Sequence, residues 1–169
     1  MKQTKIKTLC CLSILSVLFA GCWSDDRDPA SVVIGSQAPS FSLTSVEGST
    51  LESGALKGSV VVLNFWATWC QPCMTEIPEL KEIAANSKVK VVGIALDQDG
   101  AKAIKPFVAS NRINYTVLVG NEDVFQRFNG SGIPYTLVLD PSQRIINIYR
   151  GPITKRALEE DFKGINQGS

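Results

Sequence analysis

The sequence of 169 residues contains no histidine. This absence excludes catalytic triads built on a histidine base and metal or haem centres held by histidine. An excess of one charge is also lacking, because 17 basic residues face 16 acidic ones and no basic stripe is present. We therefore expect no nucleic-acid partner. The length and the apolar content suit one domain with a core that needs no disulfide to hold it.

Cysteines are few and unevenly placed. Three of the five lie in the first 22 residues, and only Cys70 and Cys73 belong to the remaining chain. A scaffold held by several disulfides is therefore excluded. A single Cys-x-x-Cys supplies two ligands, whereas a structural zinc site needs four, so we expect no metal.

The N-terminus has the pattern of a targeting segment. Three lysines precede a 13-residue apolar run, which is too short for a comfortable membrane span. Small residues before Cys22 resemble the lipobox of bacterial lipoproteins, although Phe19 stands where leucine is usual. We predict a lipoprotein signal peptide at 1–21 with Cys22 as lipid anchor, a flexible tether at 22–34 and a folded domain at 35–169. Ordinary signal cleavage and an uncleaved anchor are the alternatives.

The pair Cys70 and Cys73 follows a run that predicts a buried strand, Val60 to Trp66, and precedes a helical pattern. The first turn of a helix has unpaired N–H groups and a partial positive charge, which stabilise a thiolate. Cys73 lies one turn after Cys70, close enough for a disulfide. We predict Cys70 at the N-cap as the attacking thiolate and Cys73 as the resolving thiol. A purely structural disulfide is the alternative.

Other residues near this pair are candidates for the site. Glu76 follows Cys73 by three residues on the same side of the predicted helix, where it could accept the proton of Cys73. Its alternative is a first-turn acid that favours the helix dipole. Trp69 is expected to pack and also to contact the substrate, and Pro78 is expected to interrupt and kink the helix.

The string from Asn64 through Trp69-Cys70-Gln-Pro-Cys73 to Pro78 resembles the TlpA/ResA-like thiol–disulfide oxidoreductases of the thioredoxin superfamily. The resemblance implies an α/β thioredoxin fold, a central mixed sheet flanked by helices, with an N-terminal β-hairpin and a strand–helix insertion. It also implies that Ile133 and Pro134 form a cis peptide bond beside the cysteines and present backbone to the substrate. A trans proline at a strand start is the alternative.

The resemblance further implies a function. It points to an enzyme on the extracytoplasmic face of the cell envelope, tethered by its N-terminal lipid, in a membrane that the sequence does not specify. The enzyme would reduce disulfides of envelope proteins such as apocytochrome c. An integral-membrane thiol donor would supply the electrons, and the only redox group would be the Cys70–Cys73 disulfide.

Three other functions are alternatives to this one. A disulfide oxidant or isomerase would use the same residues. A metal-delivery protein is disfavoured because its relatives use Cys-x-x-x-Cys with a histidine. A peroxiredoxin is disfavoured because it would have threonine three residues before its cysteine, where Ala67 precedes Cys70.

Overall fold

The computed structural model describes residues 32–86 and 88–167. The chain forms seven strands, four α-helices and one 3₁₀ turn in these ranges. In order they are β1 (Ser42–Thr44), β2 (Thr50–Glu52), the 3₁₀ turn (Ser53–Leu56), β3 (Val60–Trp66), α1 (Gln71–Ala84), β4 (Val89–Ala95), α2 (Ala101–Ser110), β5 (Thr116–Val119), α3 (Glu122–Arg127), β6 (Tyr135–Leu139), β7 (Ile145–Arg150) and α4 (Lys155–Gln167).

A five-stranded mixed sheet forms the centre, in the order β5-β4-β3-β6-β7. The middle strand, β3, is parallel to β4 and antiparallel to β6. The sequence of β3 is apolar because a central strand that is covered on both faces needs nonpolar side chains on both of them. The order and mixed direction of the strands confirm the predicted α/β thioredoxin fold.

Helices cover both faces of the sheet. Alternate residues of β3 point to opposite sides, so Leu63 packs with Phe125 of α3 while Val62 packs with Leu80 of α1 and Leu158 of α4. After β4 the chain forms α2 and then β5, and β5 is the outer strand beside β4. The strand that leads to Cys70 is therefore held at the middle of the core.

The N-terminal extension contains the predicted hairpin of β1 and β2 and runs from one outer edge of the sheet to the other. Gly35 donates its N–H to the carbonyl of Ile145 at 2.7 Å, at the start of β7. Further on, Val46 donates to the carbonyl of Val117 in β5 at 3.0 Å. The extension thus pairs with both outer strands of the sheet.

Two details differ from the sequence prediction. Val32, placed in the tether, is buried in the main core, so the packed part of the chain begins earlier than residue 35. Pro78 does not interrupt α1, which continues from Gln71 to Ala84. The buried side chains of Ile77 and Leu80 anchor the helix on both sides of the proline.

The targeting segment 1–21, Cys22 and most of the tether lie outside the described residues. In residues 32–86 and 88–167, no helix is both long enough and apolar enough to cross a bilayer.

Candidate active site

The cysteine pair lies at the start of α1, where the central strand ends. Cys70 is the N-cap residue, with extended backbone, as predicted. Its Sγ accepts a hydrogen bond from the N–H of Cys73 at 3.3 Å, and the two sulfurs are bonded at 2.07 Å. Cys70 keeps 4% of its surface exposed, whereas Cys73 has none. The geometry therefore gives Cys70 the outer position that an attacking sulfur requires.

The two tryptophans near the pair have different surroundings. Trp66 is buried, and its ring lies 5.4 Å from that of Phe107 in α2. Trp69 is 66% exposed, so the expectation that it packs in the core is wrong. The reason is its place in the turn between β3 and α1, where no element of the described residues covers its indole.

A groove of about 790 Å³ lies beside Trp69, the residue that precedes Cys70. Trp69 and Ile133 line it, together with Asp97 after β4 and Phe125 of α3. Ile133 also packs against the cluster that contains Cys70. The structure thus brings two of the predicted substrate-binding residues to one surface beside the attacking cysteine.

The peptide bond between Ile133 and Pro134 is cis, as the resemblance implied. Pro134 is buried, and its carbonyl accepts the N–H of Gly151 at 2.9 Å. The segment before β6 is therefore tied to the residue that follows β7, while Ile133 faces the groove.

Glu76 is buried under the cysteine pair on the same face of α1 as Cys73. Its Oε1 accepts from Asn64 Nδ2 at 2.7 Å, and its Oε2 accepts from the N–H of Ile153 at 3.3 Å. Burial raises the pKa of Glu76 to about 7, while these two hydrogen bonds act in the opposite direction. The alternative of a first-turn helix acid is wrong, because Glu76 lies beyond that turn and out of solvent.

The groups that hold Glu76 come from distant parts of the chain. Asn64 of β3 lies opposite Thr136 of β6 and donates to its Oγ1 at 2.9 Å. Ile153 precedes α4, 77 residues after Glu76. Sequence reasoning identified Asn64 and Glu76 but missed Thr136 and Ile153, which have no local signal.

Below the disulfide, the site is closed by tight packing around Gly93 of β4. A Cβ at this position would lie 2.8 Å from Trp66 Nε1 and 3.2 Å from the ring of Tyr115. Burial raises the pKa of Tyr115 above its usual value, and the charge of Glu76 adds to this rise. Within the described ranges, Tyr115 Oη and Trp66 Nε1 have no hydrogen-bond partner.

No metal centre accompanies the disulfide in the described part of the chain. There, no three side chains of cysteine, aspartate or glutamate are grouped so that they could hold an ion. The chemistry at hand is thiol–disulfide exchange at Cys70 and Cys73, with a buried carboxyl group of pKa about 7 on the same helix face.

A redox disulfide at a helix N-terminus on the central strand of this fold defines a thiol–disulfide oxidoreductase of the thioredoxin superfamily. The chain belongs to the AhpC/TSA family, which it matches over residues 34–160.

Two curated relatives and one solved structure are similar. Thiol-disulfide oxidoreductase ResA of Bacillus thuringiensis subsp. konkukian is 36% identical over 135 residues, 78% of either chain. Thioredoxin-like protein YneN of Bacillus subtilis is 32% identical over 130 residues, 75% of this chain and 76% of the relative. The crystal structure of a thiol:disulfide interchange protein from Chlorobium tepidum TLS is 32% identical and has a TM-score of 0.68. The match covers 76% of this chain and 94% of the Chlorobium tepidum chain.

These relatives confirm the resemblance drawn from the motif. The protein is a thiol–disulfide oxidoreductase that acts on disulfide-containing substrates through a Cys-x-x-Cys pair.

Proposed function

We propose that this protein reduces disulfides of cell-envelope proteins and is tethered to the membrane by a lipid on Cys22. One observation carries the assignment of thiol–disulfide exchange to this site. The Cys70–Cys73 pair lies next to Glu76, whose pKa of about 7 lets its carboxyl group take up and release a proton near neutrality.

The reaction begins with the reduced pair. The Cys70 thiolate attacks one sulfur of the client disulfide, a Cys70–client bond forms, and the other client sulfur leaves as a thiolate. Cys73 then attacks Cys70 Sγ, the second client thiolate leaves, and the Cys70–Cys73 disulfide forms. Two electrons pass from the protein to the client.

Glu76 serves the second of these steps. Cys73 is fully buried, and a buried thiol ionises with difficulty because its thiolate is poorly solvated. The ionised Glu76 accepts the proton of Cys73, and its neutral form is well suited to burial. Asn64 and Ile153 hold the carboxylate in place for this transfer.

The groove supplies the surface for the client. An extended client segment pairs with the backbone of Ile133 before Pro134, and its side chains contact the exposed indole of Trp69. This arrangement brings the client disulfide to Cys70, the outer of the two cysteines.

The direction of electron flow is tested by the reduction potential. We expect a value near −270 mV, as in thioredoxin, because a reductant must have a lower potential than its client. Equilibration with a dithiothreitol series measures it, with the Cys70→Ser protein as a blank that has no disulfide. A potential above about −180 mV, where isomerases lie, would overturn the reductase assignment and favour an isomerase or oxidant.

The roles of the two cysteines are tested by trapping. Cys73→Ser should accumulate a mixed disulfide with a client, because Cys70 still attacks but nothing resolves the bond. Cys70→Ser is the matched control and should trap none. Non-reducing electrophoresis measures both, and equal trapping by the two variants would refute the assigned order of attack.

The location rests on the residues that precede the described domain. The apolar run and the small residues before Cys22 support export and lipidation, which place the domain on the extracytoplasmic face of the envelope. That compartment is oxidising, so the reduced pair must be regenerated, and an integral-membrane thiol donor fits this need. Apocytochrome c is a client class that the family resemblance suggests.

Lipid attachment is tested by growing cells with clickable palmitate. The wild-type protein should carry the label, and the Cys22→Ser protein should not. Cys10 and Cys11 lie before the predicted cleavage site, so a variant that replaces both of them but keeps Cys22 serves as the control and should be labelled like the wild type. Equal labelling of the wild-type and Cys22→Ser proteins would end the proposal of a lipid anchor.

A further inference from the structure

The turn that carries Trp69 is held by a carboxylate outside the Cys-x-x-Cys motif. Asp97 is buried, with 6% of its surface exposed. Its Oδ2 accepts the backbone N–H of Thr68 at 3.1 Å, and its Oδ1 accepts the same N–H at 3.3 Å. The Thr68 hydroxyl donates a further hydrogen bond to Oδ1. Both carboxylate oxygens thus bind one residue of the turn.

This contact follows from the register of the two parallel strands. Trp66 at the end of β3 lies opposite Ala95 at the end of β4, so Thr68 and Asp97 are each the second residue after their strand. A further backbone bond, from the N–H of Leu96 to the carbonyl of Trp66 at 2.9 Å, holds the two strand ends together. Functional loops of parallel sheets lie at this edge.

The same carboxylate borders the groove. Asp97 lines it beside Trp69 and Ile133, and Thr68 is the residue immediately before Trp69. Hydrogen bonds to a carboxylate are stronger than those between neutral groups, so the turn is fixed at its second residue. The Trp69 side chain is 66% exposed, so the turn that carries it contributes much of what fixes its orientation.

We propose that Asp97 is a positioning residue that acts through Thr68 to hold Trp69 in the orientation that a protein client must meet. The contact stiffens the wall of the groove before the client binds, which lowers the entropy cost of docking. A small disulfide that reaches Cys70 without using the groove does not need this wall. The inference rests on the proposed reduction of protein disulfides.

The test compares two substrates of the reduced full-length protein, a synthetic peptide closed by a disulfide and hydroxyethyl disulfide. Asp97→Ala removes all of these hydrogen bonds and should lower the rate constant for the peptide about tenfold relative to that for hydroxyethyl disulfide. Thr68→Val removes only the hydroxyl bond and keeps the backbone N–H, so it should lower this ratio by a smaller factor. The double variant should lose the same factor as Asp97→Ala, because the hydroxyl bond is already lost when the carboxylate is removed. Thr68→Ser retains the hydroxyl and should keep the wild-type ratio.

Asp99→Ala is the matched control, because Asp99 is exposed two residues further on, and it should leave the ratio within twofold of wild type. The inference would be overturned if Asp97→Ala lowered the ratio of the two rate constants no more than Asp99→Ala does. A double variant that loses the product of the two single factors, or equal losses with both substrates, would also overturn it. Failure of the wild-type protein to reduce the peptide would instead refute the proposed function.

Discussion

The buried carboxyl group of Glu76 should make the stability of the oxidised protein depend on pH. In the folded protein this group holds its proton up to about pH 7, whereas the ordinary pKa of an exposed glutamate is 4.5. Between these values the folded state binds one more proton than the unfolded state. The free energy of unfolding therefore falls as pH rises, by about 1.4 kcal/mol per unit.

The size of this effect follows from the two pKa values. Integration between pH 5 and pH 8 gives a loss of about 2.5 kcal/mol from this one group. Glu76→Gln removes the titration but keeps the shape of the side chain. The difference in unfolding free energy, variant minus wild type, should therefore become more positive by about 2.5 kcal/mol from pH 5 to pH 8. If the glutamine loses the hydrogen bond from Ile153, the unfolding free energy of the variant changes by the same amount at both pH values, and the change of the difference with pH is unaffected.

Urea unfolding of the oxidised proteins, followed by tryptophan fluorescence, measures the four free energies. Glu122→Gln, the same substitution at an exposed position, is the matched control, and it should follow the pH dependence of the wild-type protein. A variant-minus-wild-type difference that stays constant from pH 5 to pH 8 would refute the reasoning about Glu76.

Three further outcomes are expected. Asn64→Ala should raise the pKa of Glu76 by roughly one unit, because the variant loses the hydrogen bond that lowers this pKa. NMR of the carboxyl carbon measures the pKa, and an unchanged value would contradict the prediction. Leu80→Ala should lower the free energy of urea unfolding by about 2–5 kcal/mol, since Leu80 is fully buried; a loss below about 1 kcal/mol would contradict that packing. Gly93→Ala should lower the melting temperature because its Cβ meets the Trp66 ring, while Gly54→Ala, with open space around it, should change it little.

Local patterns predicted the elements well. The apolar run before the cysteines predicted β3, and the helical pattern after them predicted α1. Cys70 at the N-cap and the cis bond before Pro134 were also predicted, because each depends on a short motif. These features need only neighbouring residues to specify them.

The environment of the site was harder to predict because it depends on contacts across the chain. Helical spacing placed Glu76 on the same face as Cys73, but its full burial depends on Asn64, on Ile153 and on the packing of α4. The exposure of Trp69 was missed because an apolar side chain in a strand–helix motif is usually buried. Asp97 was missed because its only signal is its register with Thr68 across two parallel strands.

The pairing of the N-terminal extension with the outer strands bears on how the protein avoids aggregation. A bare outer strand offers unpaired N–H and C=O groups to any extended chain, and the clients proposed for this protein expose such chains before they fold. Residues 45–46 occupy this position along β5, and residues 35–37 occupy it at the start of β7. At these positions a client finds no free template for strand addition. The groove beside the cis bond at Pro134 is the place where we propose that a client chain binds by its backbone, away from these paired positions.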